Sequence, residues 1–168
     1  MSRAPHAELP SLLPRLVAFA RTIVGDTDSA RDLVQEAATR ALAARQVPVD
    51  TRAYRAWIFK IVRNAALDEL RSRTNQTSEL PPPSVDLYRF DDAYIAKITV
   101  EQGLAGIAPA HREIIALIDI GGFSYAEAAE VIGVPIGTIM SRIARARSAL
   151  LQEISKSSVR PLKSTHGR

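Results

Sequence analysis

Three consecutive prolines, Pro81-Pro82-Pro83, most constrain what this chain can become. Successive prolines lock φ and remove backbone donors, so the run is extended and no helix can cross it. On both sides apolar residues recur at helical spacing, and no strand-like alternation competes with them. The chain therefore reads as all-α: two small helical domains joined by an extended linker. Boundaries fall at residues 1–76, 77–93 and 94–168. Hydrophobic residues at 46% and charged residues at 24% support packed cores rather than disorder.

In the first block, Leu12, Leu13, Leu16, Val17, Ala20 and Ile23 form a helical stripe from Leu9 to Val24. Pro14 interrupts its first turn and Gly25 ends it. A second helix, capped by Asp28 or Ser29, runs to about Ala44 with Ala30, Leu33, Val34, Ala37, Ala38, Ala41 and Leu42 inside and Asp32, Gln35, Glu36, Thr39 and Arg40 outside. After the loop Val47-Pro48-Val49, Asp50 or Thr51 caps a long helix to about Arg73. Its buried stripe is Trp57, Ile58, Ile61, Val62, Ala65 and Leu70. Tyr54, Trp57 and Phe59 stand among Arg52, Arg55, Lys60 and Arg63, with Asn64 following. Rings that stack on bases, interleaved with cations that hold phosphate, suit single-stranded nucleic acid.

Beyond the prolines, helical spacing resumes at Tyr94, and His111 to Ile120 forms a further helix stopped by Gly121-Gly122. Ser124 and Glu127 have the spacing of a capping box on a short helix to Ile132. The tight turn Gly133-Val134-Pro135 leads into a last helix from Ile136 to about Ile154. Two helices joined by so short a Gly-containing turn are a helix-turn-helix signature. At ~100° per residue, Ile139, Ile143, Ala146 and Leu150 share the core side of the last helix. Thr138, Ser141 and Arg145 lie opposite, flanked by Arg142 and Arg147. Short hydroxyls followed by arginines suit a helix entering the major groove.

Charge follows the same division. Residues 1–76 hold twelve Lys/Arg against eight Asp/Glu, and residues 101–133 hold Arg112 alone against five carboxylates. From Val134 onward seven basic residues face only Glu153. Two separated basic blocks point to two contact surfaces. The absence of cysteine excludes disulfides, thiolate metal sites and cysteine nucleophiles. His6, His111 and His166 are far apart, and no phosphate-cradling glycine loop or nucleophile motif accompanies them. No metal, cofactor, small-molecule substrate or enzymatic activity is expected. No apolar run approaches the roughly 18 residues of a membrane span, and no signal peptide is read, so a cytoplasmic location without membrane attachment is expected.

Asp32-Leu-Val-Gln-Glu36, Tyr54-Arg-Ala-Trp-Ile-Phe-Lys-Ile-Val-Arg-Asn64 and Asp68-Glu-Leu-Arg71 resemble region 2 of the extracytoplasmic-function (ECF) sigma factors. Pro109-Ala-His-Arg-Glu113, Gly122-Phe-Ser-Tyr-Ala-Glu-Ala-Ala129 and Gly137-Thr-Ile-Met-Ser-Arg-Ile-Ala-Arg-Ala-Arg147 resemble region 4. The resemblance covers about residues 9–76 and 94–153, in the family's order. It implies a sigma factor that binds core RNA polymerase and directs promoter-specific initiation. Asp32, Gln35, Glu36 and Arg40 would dock the polymerase clamp coiled coil, with region 4 near the flap. Arg52, Arg55, Lys60, Arg63 and Asn64 would engage the melted −10 strand, and the loop at about Arg45 to Arg52 would pocket a flipped base. Thr138, Ser141, Arg142, Arg145 and Arg147 would read the −35 duplex. Met140 departs from the family, which commonly has Lys there.

Seventeen linker residues can span up to about 55 Å, enough to seat the blocks on DNA sites one to two turns apart. The resemblance further implies an anti-sigma factor as partner, and Leu87, Tyr88 and Phe90 offer it an apolar patch. A sigma-like decoy for such a factor and a stand-alone helix-turn-helix repressor are the alternatives.

Overall fold

The computed structural model describes residues 5–75 and 92–158, all of it helix and connecting turn. After a 3-10 turn at Pro5–Glu8, α1 spans Leu9–Val24, α2 Thr27–Leu42 and α3 Thr51–Asn75. Past the undescribed segment come α4 Asp92–Gly106, α5 Pro109–Ile115, a π turn Ala116–Ile120, α6 Tyr125–Ile132 and α7 Ile136–Ser158. The proline run and the patch at Leu87, Tyr88 and Phe90 lie outside the described residues. Residues 92 and 93, read as the end of the linker, open α4.

Local chemistry sets most of these ends. Pro14 sits inside α1 without breaking it. Its ring faces solvent, and the carbonyl it leaves unbonded is that of Pro10 in the first turn. Leu13, placed in the buried stripe from spacing, is 36% exposed, and Phe19 is fully buried instead; Leu42, placed in the stripe of α2, is 58% exposed at that helix's last residue. Gly25 closes α1 at φ +81, a conformation that side chains strain to adopt. That tight turn leaves only Asp26 between Gly25 and the start of α2. Its cap is Asp26, whose Oδ2 accepts the Ser29 N–H at 2.8 Å, rather than Asp28 or Ser29. Asp50 caps α3 by accepting the Ala53 N–H at 2.8 Å. Both halves of the Ser124–Glu127 capping box are made.

α1, α2 and α3 pack as one bundle around Leu16, Phe19, Ile23, Val34, Tyr54, Ile58, Phe59 and Val62. α4, α5 and α6 pack on α7. Gly103 lets α4 and α7 approach, since a Cβ there would lie 2.9 Å from Leu150 Cδ1 and 3.0 Å from Ile154 Cγ1. The two bundles do not stand apart. α5 and the π turn lie against α1, α6 lies against α3, and the buried side chains form a single core cluster.

Candidate nucleic-acid and polymerase interfaces

The outer face of α2 carries Asp32, Gln35, Glu36 and Arg40, all exposed. Ala30, Val34, Ala37 and Ala41 bury the other face, so helical periodicity alone aims these polar groups outward. Glu36 and Arg40 form an i,i+4 ion pair on the surface. Such a pair contributes only about 0.3–0.5 kcal/mol and leaves both groups accessible to a protein partner.

Helix α7 carries the second face. Ile139, Ile143 and Ala146 are buried at 0%, 2% and 0% exposure, as their spacing predicts. Ser141 and Arg145 are exposed, while Thr138 and Arg142 are half-buried on the flank. The Ser141 hydroxyl donates to the Thr138 carbonyl at 3.0 Å. Ile136 and Met140 add exposed apolar surface beside them. Arg147 is committed elsewhere: its guanidinium donates to both Asp119 carboxylate oxygens, at 2.6 and 3.3 Å. That pairing raises its pKa above the ordinary arginine range. The turn ahead of α7 is held by Gly133 at φ +79, whose N–H donates to the Ala129 carbonyl at 2.8 Å.

The basic-aromatic face of α3 is where sequence reading and structure diverge. Lys60 and Asn64 are exposed. Arg52, Arg55 and Arg63 instead meet the second bundle. Arg63 ion-pairs with Glu113 of α5, their side chains only 16% and 9% exposed. Arg55 donates to the Gly121 carbonyl, and its guanidinium lies over the Phe123 ring at 4.3 Å. Burial pulls its pKa below the ordinary arginine range, against the pull of Glu127. Arg52, on the rim, pairs with Glu127 at 2.9 Å. Glu127 is itself held below the usual carboxylate range, first by its hydrogen bonds to Ser124 and then by Arg52 and Arg55. Phe59 and Phe123 stack edge to face, centroids 4.9 Å apart. Trp57 is half-buried against Tyr54, at 5.6 Å.

Groups not singled out from sequence complete this junction. Arg112 of α5 donates to the Ile23 carbonyl at 3.3 Å, and Arg21 pairs with Glu101 of α4. Gly121 and Gly122 do more than stop a helix. The π turn directs the Gly121 N–H to Ala116 at 2.7 Å, and Gly122 at φ +69 swings Phe123 and the Gly121 carbonyl onto Arg55. The sequence did carry one sign of this contact: the acidic segment 101–133 complements the basic block before residue 77. Among the described residues no group of three or more His, Cys, Asp or Glu could hold a metal ion. No described helix is long and apolar enough to cross a membrane.

Comparison with known proteins agrees with both bundles. Residues 11–76 match Sigma-70 region 2, and residues 99–150 match Sigma-70, region 4. The ECF RNA polymerase sigma factor EcfG of Rhodopseudomonas palustris is 33% identical over 85% of this chain and 81% of its own length. A probable RNA polymerase sigma-C factor of Mycobacterium bovis is 36% identical over 83% of this chain and 75% of its own. Among solved structures, the sigma factor RpoE of Bartonella quintana, in complex with the anti-sigma factor NepR, superposes with a TM-score of 0.73 at 31% identity. That match covers 88% of this chain and 94% of that one. CnrH, in complex with the cytosolic domain of CnrY, gives a TM-score of 0.68 at 27% identity, covering 93% and 90%. Two motif sets, two helical bundles in matching order and relatives matched over most of their length converge: this chain belongs to the ECF sigma factors of RNA polymerase, proteins of transcription initiation.

Proposed function

We propose that the chain divides its sigma-factor work between residues 1–76 and 94–168. In the first domain Asp32, Gln35, Glu36 and Arg40 dock the polymerase clamp coiled coil, and Arg52, Arg55, Lys60, Arg63 and Asn64 engage the melted −10 strand. In the second, Thr138, Ser141, Arg142 and Arg145 meet the −35 duplex, while Arg147, expected there from spacing, is held by Asp119. The observation carrying this reading is the two-sided α7 that follows the Gly133 turn. Its buried Ile139, Ile143 and Ala146 fix which side faces outward, and that side bears Ser141 and Arg145. Hydroxyl and guanidinium groups on one groove-sized helix are suited to base edges and phosphates. The covalent chemistry of initiation belongs to the polymerase, so this chain works by binding alone, in the cytoplasm beside polymerase and DNA. An anti-sigma factor restrains it, by analogy with the RpoE–NepR complex.

The test is run-off transcription from fragmented genomic DNA by purified core polymerase, with and without this chain. The expected result is a set of new start sites sharing elements upstream. Polymerase binding without any transcript would favour a decoy for an anti-sigma factor, and the absence of polymerase binding would refute the proposal.

A further inference from the structure

We propose that Met140 is a reversible oxidation site, through which peroxide-class oxidants weaken promoter reading by α7. The proposal rests on the assignment of the outward side of α7 to the −35 duplex and concerns how that side is regulated.

The sequence gathers its oxidisable sulfur into one place. It has no cysteine and two methionines, so past Met1 the only sulfur is the thioether of Met140. Methionine usually fills gaps in a core. Here the core side of α7 is built from Ile139, Ile143 and Ala146, and Met140 is left 54% exposed. A small oxidant reaches that sulfur without any unfolding of the chain.

Placement makes the sulfur consequential. Ile136, Met140 and Ala144 are all exposed on α7, and their i,i+4 spacing sets them along one line of its surface. Ser141 and Arg145 follow the last two of these by one residue, on the same outward side. An apolar line beside hydroxyl and guanidinium groups suits thymine methyls beside base edges and phosphates.

The chemistry is a two-electron oxygen transfer. The sulfur lone pair attacks one oxygen of hydrogen peroxide, the S–O bond forms and the O–O bond breaks. The proton on the transferred oxygen passes to the departing hydroxide, which leaves as water. Sulfur has lost two electrons and the peroxide has gained them. A dithiol reductase reverses the step, its two thiols closing to a disulfide while the sulfoxide oxygen leaves as water. The sulfoxide is polar and chiral where the thioether was apolar, and its hydrated oxygen opposes a dry contact with a methyl group.

The effect is selective. The α2 face of Asp32, Gln35, Glu36 and Arg40 contains no sulfur, so the oxidised chain keeps its hold on polymerase and loses its grip on the promoter.

The test treats the full-length chain with hydrogen peroxide, removes the oxidant and only then assembles holoenzyme, so that polymerase itself is not oxidised. Mass spectrometry should find one added oxygen on the Met140 peptide of the folded chain, at a rate close to that in the urea-denatured chain. The helical signal should not change. Affinity for a labelled duplex carrying the upstream element found by run-off transcription should fall about fourfold to fifteenfold, the loss of one or two methylenes of apolar contact. Core-polymerase affinity should stay constant. Methionine sulfoxide reductases for both sulfur epimers, applied before assembly, should restore duplex binding. Met140→Leu keeps Met1 and removes the side-chain sulfur in α7. Scored against its own untreated sample, it should show no response to peroxide. Oxidation of Met140 only after denaturation would overturn the proposal, as would unchanged duplex affinity of the oxidised chain or an equal loss in Met140→Leu. A loss that the reductases do not reverse, or one shared by core affinity or helical signal, would also overturn it. Arg142→Gln with Arg145→Gln, measured beside these samples, separates the two levels. If that variant loses duplex binding while oxidation is silent, the oxidation site alone falls; if neither has an effect, the reading of α7 falls with it.

Discussion

Replacing Arg142 and Arg145 together by Gln separates DNA reading by α7 from every other role of the chain. Neither arginine has an ion-pair partner among the described residues, whereas Arg147 is bound to Asp119. Each arginine that neutralises one phosphate contributes about 0.9 to the slope of log affinity against log salt. Losing two should lower the slope of holoenzyme binding to its promoter by about 1.8. Between about 50 and 200 mM salt, wild-type affinity should then fall roughly tenfold more than that of the double variant. If either arginine forks onto a guanine, about 1–3 kcal/mol of discrimination at that base pair disappears as well. Arg147→Gln is the comparator. It should change the slope much less, because the charge it removes is already engaged, and should cost up to about 1 kcal/mol of stability. The assay is fluorescence anisotropy of labelled promoter duplex with reconstituted holoenzyme across a salt series, beside a titration of core polymerase alone. Core affinity should not change, since the face assigned to it is on α2. A slope and base preference equal to wild type, or a matching loss of core affinity, would refute the assignment of α7.

Three further outcomes follow from other parts of the molecule. Met140 and Ile136, 54% and 49% exposed at the N-terminal end of α7, offer apolar surface to thymine methyl groups. Replacing thymine by uracil throughout the −35 duplex should weaken holoenzyme binding several-fold, and Met140→Ala should abolish that sensitivity; indifference to the methyl group would remove Met140 from the groove. Charge reversal of the exposed pair Asp32 and Glu36 to Lys should lower core-polymerase affinity tenfold or more without moving the thermal melt; unchanged affinity would dismiss α2 as the docking face. Asp26, held below the ordinary carboxylate pKa of 3.8 by its side-chain hydrogen bond to Ser29, stabilises α2 most fully above that value and loses the contribution as pH falls through its lower folded pKa. Asp26→Ala should therefore cost about 1 kcal/mol at neutral pH, with the two melting curves converging in acid. A gap that persisted there would show that the cap does not depend on the charge.

Short-range physics made much of the fold readable without coordinates. Helical stripes such as Ile139, Ile143 and Ala146 are set by a 3.6-residue period, and the Ser124–Glu127 box by hydrogen bonds spanning four residues. Where reading failed locally, a competing short-range effect won. Gly25 in the left-handed region moved the α2 cap back to Asp26, and first-turn geometry excused Pro14. The outward faces of α2 and α7 were equally legible, because a buried stripe dictates its own opposite side. The π turn was not, since no residue pattern marks i→i+5 bonding, and it displaces Gly121 and Phe123 from where a plain helix end would leave them.

The fate of Arg52, Arg55 and Arg63 lay further out of reach, and the reason bears on what the chain does. A surface that must take up a single strand needs clustered cations and apolar rings that can be stripped of water. Those same properties let it pack against an acidic, aromatic-bearing segment within reach. The segment 101–133 is such a partner, with Glu113, Glu127 and Phe123 at its contact face. Spacing along the chain reveals each half of that pair but not their meeting, because Arg63 and Glu113 come together from fifty residues apart. The junction between the bundles is thus made by the same charges and rings that the sequence presents as two separate surfaces.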